Sequence, residues 1–208
     1  MKTITAAALE AMDKVARVQL ATSLPGAKPV ALVGTRDAAG VANLAPFSSV
    51  VHLGSSPALL GLITRPDVVE RHTLANILTR RCWTLNHLHP GIVRAAHQCS
   101  ARYPAAVSEF EATGLTEHEE PGFSAPFVAE SRFRVGLELA EILDVAINGT
   151  KLIIGRVTLV QVDEAHLRAD GSVDLEGLEV VASTALDTYF GLTGSIRLPY
   201  AKVPGEPR

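Results

Sequence analysis

The chain has 208 residues, 47% of them hydrophobic and 20% charged, with a formal net charge of −3. That balance excludes a disordered polymer and supplies no basic face for nucleic acid or an anionic membrane, so neither is expected as a partner. The length fits one domain over residues 1–208, and the charge favours a small, neutral or locally complemented ligand.

The opening segment "MKTITAAALEAMDKVARV" places Leu9, Met12 and Ala16 at helical spacing, while Glu10, Asp13 and Lys14 interrupt any apolar run. It predicts an amphipathic helix over residues 1–18, not a signal peptide. No stretch approaches the roughly 18 apolar residues of a membrane span, so a cytoplasmic location is expected. "LPGAKP" supplies a turn and "VALVGT" a short buried strand; "RDAAG" then reads as a hairpin turn. The next strand begins near Val41 and runs through "NLAPFSSV", and "PALLGLITRP" gives another, bounded by prolines. "HTLANILTR" carries Leu74, Ile77 and Leu78 at helical spacing, and "CWTLNHL" returns to strand character. From "GIVRAAHQCSARYP" through "VSEFEATG" one or two short helices are predicted, with Gly114 as a stop.

"LTEHEEPGFSAP", rich in glutamate, glycine and proline, reads as an exposed connector. "RVGLELAEILDVAI" and "KLIIGRVTLVQVDE" flank Asn148-Gly149, a strong hairpin signal, so the pair is expected to be antiparallel. "RADGSV" is a further turn, and the proline-rich tail over 196–208 is expected to lie extended on the surface or on a neighbouring subunit. Many strands with helices inserted between them define a mainly β class, an antiparallel barrel or sandwich. A doubly wound nucleotide fold is disfavoured, because neither G-x-G-x-x-G nor a P-loop is present.

Several chemistries are weakened in the same way. G-x-S-x-G is absent, so a serine nucleophile has no support. Cys82 and Cys99 lie far apart without C-x-x-C and are expected to be buried, reduced thiols. His87 and His89 would share a strand face and could chelate, but no third ligand stands at a recognisable spacing, and no metal is predicted. His118 sits in the acidic connector, and Glu138 and Glu141 point to opposite strand faces, unlike a paired acid and base. What remains is "TRPDVVERHTLANI". If a helix starts near Thr73, its free amides form an anion site, with Thr73 and Asn76 adding neutral donors and Arg65 or Arg71 a forked contact. The plainer alternative is that Thr73 caps the helix and the arginines are solvated. Arg80 and Arg81 suit the other end as complements of the helix dipole.

The succession "PVALVGTRDAAGVANLAPFSSV", "RHTLANI", "SEFEATGLT" and "LIIGRVTLV" resembles the flavin reductase-like proteins of the FMN-binding split-barrel fold. The resemblance runs from about Val30 to about Val162. It implies a Greek-key antiparallel barrel with inserted helices, a homodimer with FMN near the subunit interface, and electron transfer from NADH or NADPH to free flavin or another acceptor. A partner monooxygenase is one such acceptor. By the same resemblance Asn43, Ala45, Pro46, Ser48 and Ser49 line the flavin ring or ribityl chain, and Arg65, Thr73 and Asn76 match the phosphate-binding segment. Ser100 and Ala101 lie beside the flavin, and His97 approaches it. An apolar wall set with neutral hydrogen-bonding groups suits an isoalloxazine ring. The alternatives are a non-catalytic FMN- or haem-binding split-barrel protein, with His97 or the pair His87 and His89 as axial ligands, a flavin electron carrier, or a structural dimer with a decayed pocket.

Overall fold

Apolar alternation and turn chemistry lay out most of the strands. The computed structural model describes residues 1–66, 71–185 and 187–202. The strands are β1 (Lys28–Pro29), β2 (Ala31–Arg36), β3 (Ala42–Phe47), β4 (Val50–Ser55), β5 (Ala58–Thr64), β6 (Cys82–His87), β7 (Glu117–Glu120), β8 (Phe123–Val128), β9 (Phe133–Val145), β10 (Thr150–Val162), β11 (Val181–Thr184) and β12 (Thr188–Gly191). The α-helices are α1 (Ala6–Glu10), α2 (Lys14–Ser23), α3 (His72–Arg80), α4 (Val93–Gln98) and α5 (Glu109–Thr113).

Seven strands pair in the order β3-β2-β6-β9-β10-β5-β4, with every pairing antiparallel. The two edge strands, β3 and β4, are consecutive in the chain and joined only by Ser48 and Ser49. A flat seven-stranded sheet would hold its edges about 29 Å apart, whereas this link lets the strand ends separate by no more than roughly 11 Å. The sheet must therefore roll up. Ser49 fastens the seam: its carbonyl accepts Ile63 N–H at 3.1 Å and its hydroxyl donates to Ile63 O at 2.7 Å. The result is a split barrel.

Because β2 is buried on both sides, it serves two cores. Ala31 and Val33 face the barrel interior with Leu62, Trp83, Leu85, Leu137 and Ile153, and α3 adds Leu74 and Ile77. Leu32 faces the opposite way, toward a second layer that includes Leu44, Leu88, Ala96, Phe110 and Val181. Interior packing is close enough to demand glycine at 155, where a Cβ would fall 2.4 Å from the Trp83 ring.

Several expectations are corrected. The N-terminal helix over 1–18 is two helices, because Asp13 Oδ1 accepts the amides of Val15 and Ala16 and starts α2 afresh. The strand expected from Val41 through Val50 is two strands, parted at the seam. The acidic connector is a β-hairpin, β7-β8, turning at Gly122 with φ of 84°. Its charges misled the reading: Glu117 and Glu119 project toward Arg36, while Ala125 and Phe127 of β8 are buried. β8 crosses β2 and β6, where Thr84 donates to Pro126 O at 2.7 Å and Asn86 Oδ1 accepts Val128 N–H at 2.9 Å. Beyond the turn at "RADGSV", β11 and β12 form a small sheet with β1 that the sequence reading did not anticipate.

The Asn148-Gly149 hairpin, the helix over "HTLANILTR" and the stop at Gly114 are as expected. Arg80 stands in the last turn of α3, and its guanidinium also donates to Asp37 O and Ala38 O, clamping the β2-β3 turn. Cys82 and Cys99 are buried free thiols. Among the described residues no helix is long and apolar enough to cross a membrane.

Candidate functional site

The site grows from one cross-strand pair. Thr35 on β2 and Asn43 on β3 stand directly opposite each other, which brings their side chains within hydrogen-bonding range. Asn43 Nδ2 donates to Thr35 Oγ1 at 3.3 Å and to Thr73 Oγ1 at 3.2 Å, spending both of its protons. Asn76 Nδ2 donates to the same Thr35 oxygen at 3.1 Å. Thr73 and Asn76 are three apart on α3 and so share a face. Strand and helix are thus tied by a buried polar network of four neutral side chains.

The donor pattern has a direction. The Thr73 hydroxyl already accepts a proton from Asn43, so its own O–H points elsewhere. Thr35 is 0% exposed, whereas Asn43, Thr73 and Asn76 keep 8%, 7% and 6%; Thr35 braces the network and the other three can touch a ligand edge. Thr35 escaped the sequence reading, because a threonine ending an apolar strand looks like any β-branched residue.

α3 begins at His72, and its first intrahelical bond runs from Ala75 N to Arg71 O. The amides of His72, Thr73 and Leu74 precede that bond and find no acceptor within the helix. Arg71 is the residue at the cap, without a side-chain cap bond, so Thr73 is not a capping residue. Arg71 Nε is buried and has no hydrogen-bond partner among the described residues. A buried donor left unpaired is costly, and this one belongs to the residue at the N-terminal cap of α3, two positions before Thr73. The donor set fits an oxyanion such as a phosphate. It is neutral but for Arg71, as an anion site built mainly of dipoles can be.

The other expected residues fall in two places. Ala45 and Pro46 follow Asn43 on β3, half-buried. Ser48 is half-buried at the seam, where the Ser49 hydroxyl is committed to Ile63 O. Arg65 is exposed just after β5, and the residues 67–70 that follow it lie outside the described residues. Ser100 and Ala101 are exposed in the turn after α4. Their neighbour Cys99 packs with Ala42 and Leu44 on the face of β3 opposite Asn43, so this pair is not brought into the network within one chain. His97 is exposed and its Nδ1 lies 3.1 Å from the Tyr189 hydroxyl.

The histidine pair is separated. His87 stacks on Phe133 at 4.4 Å, and burial pushes its pKa down to about 4, with Nδ1 lacking a hydrogen-bond partner among the described residues. His89 lies past the strand end, its Nε2 3.1 Å from Glu130 O. No cluster of three metal-ligating side chains occurs among the described residues. Cavities of about 610 and 360 Å³ lie elsewhere, the first between β9, β10 and His166, the second beside Arg80 and Phe123.

Comparison with known proteins places this geometry. The flavin reductase like domain matches residues 26–174, and the chain belongs to the flavin reductase-like family. A candidate flavin reductase with split barrel domain from Shewanella frigidimarina is 42% identical, with a TM-score of 0.93 over 97% of this chain and 100% of that one. Component B of nitrilotriacetate monooxygenase from Bacillus cereus is 27% identical, with a TM-score of 0.82 over 95% of this chain and 98% of its own. An uncharacterised protein of Halalkalibacterium halodurans is 31% identical over 191 residues, covering 88% of this chain and 90% of the relative.

Proposed function

We propose that the chain binds FMN and passes electrons from NADH or NADPH through it to free flavin or another acceptor. The observation that carries this reading is the start of α3, where the cap residue Arg71, its buried Nε without a partner among the described residues, and the free first-turn amides adjoin Thr73, which is hydrogen-bonded to Asn43. In this reading the phosphate sits on those donors, with Arg65 able to reach it from β5. The ring lies along Asn43, Ala45, Pro46 and Ser48, offering its polar edge to β3 and its face to apolar neighbours. When bound, the flavin supplies the hydride chemistry. The protein's part is to fix the ring and to stabilise negative charge on its polar edge with neutral donors.

The same reading makes the protein a homodimer. Val51, Leu53, Ile63, Leu143 and Val145 are 37 to 44% exposed on β4, β5 and β9. This apolar face adjoins the seam, since Ile63 itself bonds Ser49. Ile196, Leu198 and Tyr200 of the tail are also exposed, and a second copy gives both sets a partner. Ser100, Ala101 and His97 would then approach the flavin held by the other subunit. The likeness to component B of a two-component monooxygenase supports a partner monooxygenase as one acceptor of the reduced flavin.

The test is the absorption spectrum of freshly purified protein, followed by NADH and NADPH oxidation with added FMN. Flavin bands with turnover support the reductase; flavin bands without reduction by either nicotinamide assign a carrier, and a lone Soret band assigns a haem protein.

A further inference from the structure

One buried ionisable group is unused by the reading above. Glu109, the first residue of α5, is 6% exposed, yet it forms no ion pair within the described residues. Its Oε2 accepts the backbone N–H of Leu44 at 2.9 Å. β3 is an edge strand, paired among the described residues only with β2, and Leu44 stands opposite Gly34. The Leu44 amide therefore has no strand to pair with on its open side, although Leu44 itself is fully buried. Burial raises the pKa of the carboxyl above its ordinary value, and the Leu44 bond and the charge of His72 only partly oppose that rise. Glu109 thus stands between the free edge of β3 and the first turn of α3, the two segments that the polar network joins.

We propose that Glu109 is a positioning residue for the flavin site. It rests on the FMN reading above and adds the group that holds the site's strand in place. Glu109 grips Leu44 N–H, Leu44 is bonded to Asn43, and Asn43 Nδ2 orients the Thr73 hydroxyl. The path is continuous from a carboxylate that never touches the ligand to a hydroxyl that does. Without the grip, the Leu44 amide loses its acceptor at a buried position. Asn43 is then free to move off Thr73. The residue types suit this role: an edge strand cannot recruit another strand here without covering the site, whereas one side-chain acceptor satisfies the amide and leaves the strand open.

The experiment uses the full chain with three substitutions, Glu109→Ala, Glu109→Gln and Glu109→Asp. Three quantities are read for each: FMN dissociation constant, thermal midpoint, and hydrogen exchange at the Leu44 amide. Gln keeps an acceptor oxygen at the same reach and discards the charge. Asp keeps the charge and draws the oxygen back by one methylene. Ala and Asp are expected to weaken FMN binding on the order of tenfold and to speed Leu44 exchange, while Gln stays within about threefold of the parent.

A folded Ala variant that binds FMN as the parent does would overturn the proposal. So would the reverse order, Asp like the parent and Gln weak, which would make the charge and not the hydrogen bond the active feature. If the Ala variant does not fold, the order of Gln and Asp alone decides. Failure of the parent to bind any flavin would sink the functional reading instead, and Leu44 exchange in the three variants would still test the grip.

Discussion

Thr73→Val tests the site where strand and helix are tied. The substitution keeps the branched shape of the side chain and replaces its oxygen by a methyl group. Two interactions disappear. The first is the acceptor for Asn43 Nδ2 at 3.2 Å, which leaves that amide with only the longer 3.3 Å contact to Thr35. This loss costs about 1 kcal/mol of stability, a fall in Tm of roughly 2 to 4 °C for a chain of this size. The second, on the proposed FMN reading, is a charge-assisted bond from the hydroxyl to the phosphate, worth about 1.5 to 3 kcal/mol. FMN should then bind about 10- to 150-fold more weakly. Quenching of flavin fluorescence on titration with apoprotein gives the dissociation constant, and a melt run beside it shows that the variant is folded. Thr73→Ser keeps the oxygen and should bind within about threefold of the parent. Parental affinity in a folded Thr73→Val protein would remove Thr73 from the site and, with it, the orientation assigned to Asn43.

The remaining predictions concern the frame. His87 has a folded pKa near 4, below its ordinary 6.5, so the unfolded chain takes up the proton first as pH falls. Its contribution is therefore complete above about pH 6.5 and is lost on descent toward about pH 4, by on the order of 3 kcal/mol in all. Denaturant melts of the parent and of His87→Gln across this window should differ in slope, and parallel slopes would refute the burial of a neutral ring. Gly155→Ala drives a methyl into the Trp83 ring at 2.4 Å and should cost about 1 to 3 kcal/mol, read as a lower Tm; an unchanged Tm would show that the barrel interior has slack. Ile63→Asp puts a charge on the exposed apolar face beside the seam. Sedimentation should show a dimer becoming a monomer with weaker FMN binding, and an undisturbed dimer would place the interface elsewhere.

Much of the frame is legible from local chemistry. "HTLANILTR" carries helical apolar spacing and Asn148-Gly149 sets a hairpin, so both elements fall where the sequence puts them. The differences have separate causes, and in one of them local polarity is not exposure. "LTEHEEPGFSAP" looks like a solvated loop, yet alternation turns its acids toward Arg36 while Ala125 and Phe127 reach the interior. Asp13 sits within a continuous helical pattern, and only its side-chain bonds to Val15 and Ala16 reveal a break. β1 is two residues long and acquires its partner, β11, from more than 150 positions away in the chain, so no local signal could announce it.

The site divides along the same line. Thr73 and Asn76 were readable because a helix start marks them, and the structure brings Asn43 to them. Thr35 and Glu109 were not, because each acts through a partner distant in sequence, Asn76 and Leu44 respectively. Arg71 lies in plain view two positions before Thr73, but which of the neighbouring arginines keeps a buried donor unpaired among the described residues is decided by folding and not by position.

The central claim is that the start of α3 holds the anionic end of a flavin. Calorimetric titration of the apoprotein with FMN and with riboflavin, which share the ring and ribityl chain and differ in the phosphate, isolates that end. FMN should bind at least about tenfold more tightly, with the difference shrinking in Thr73→Val. Equal affinities for the two flavins in the parent protein would contradict the account.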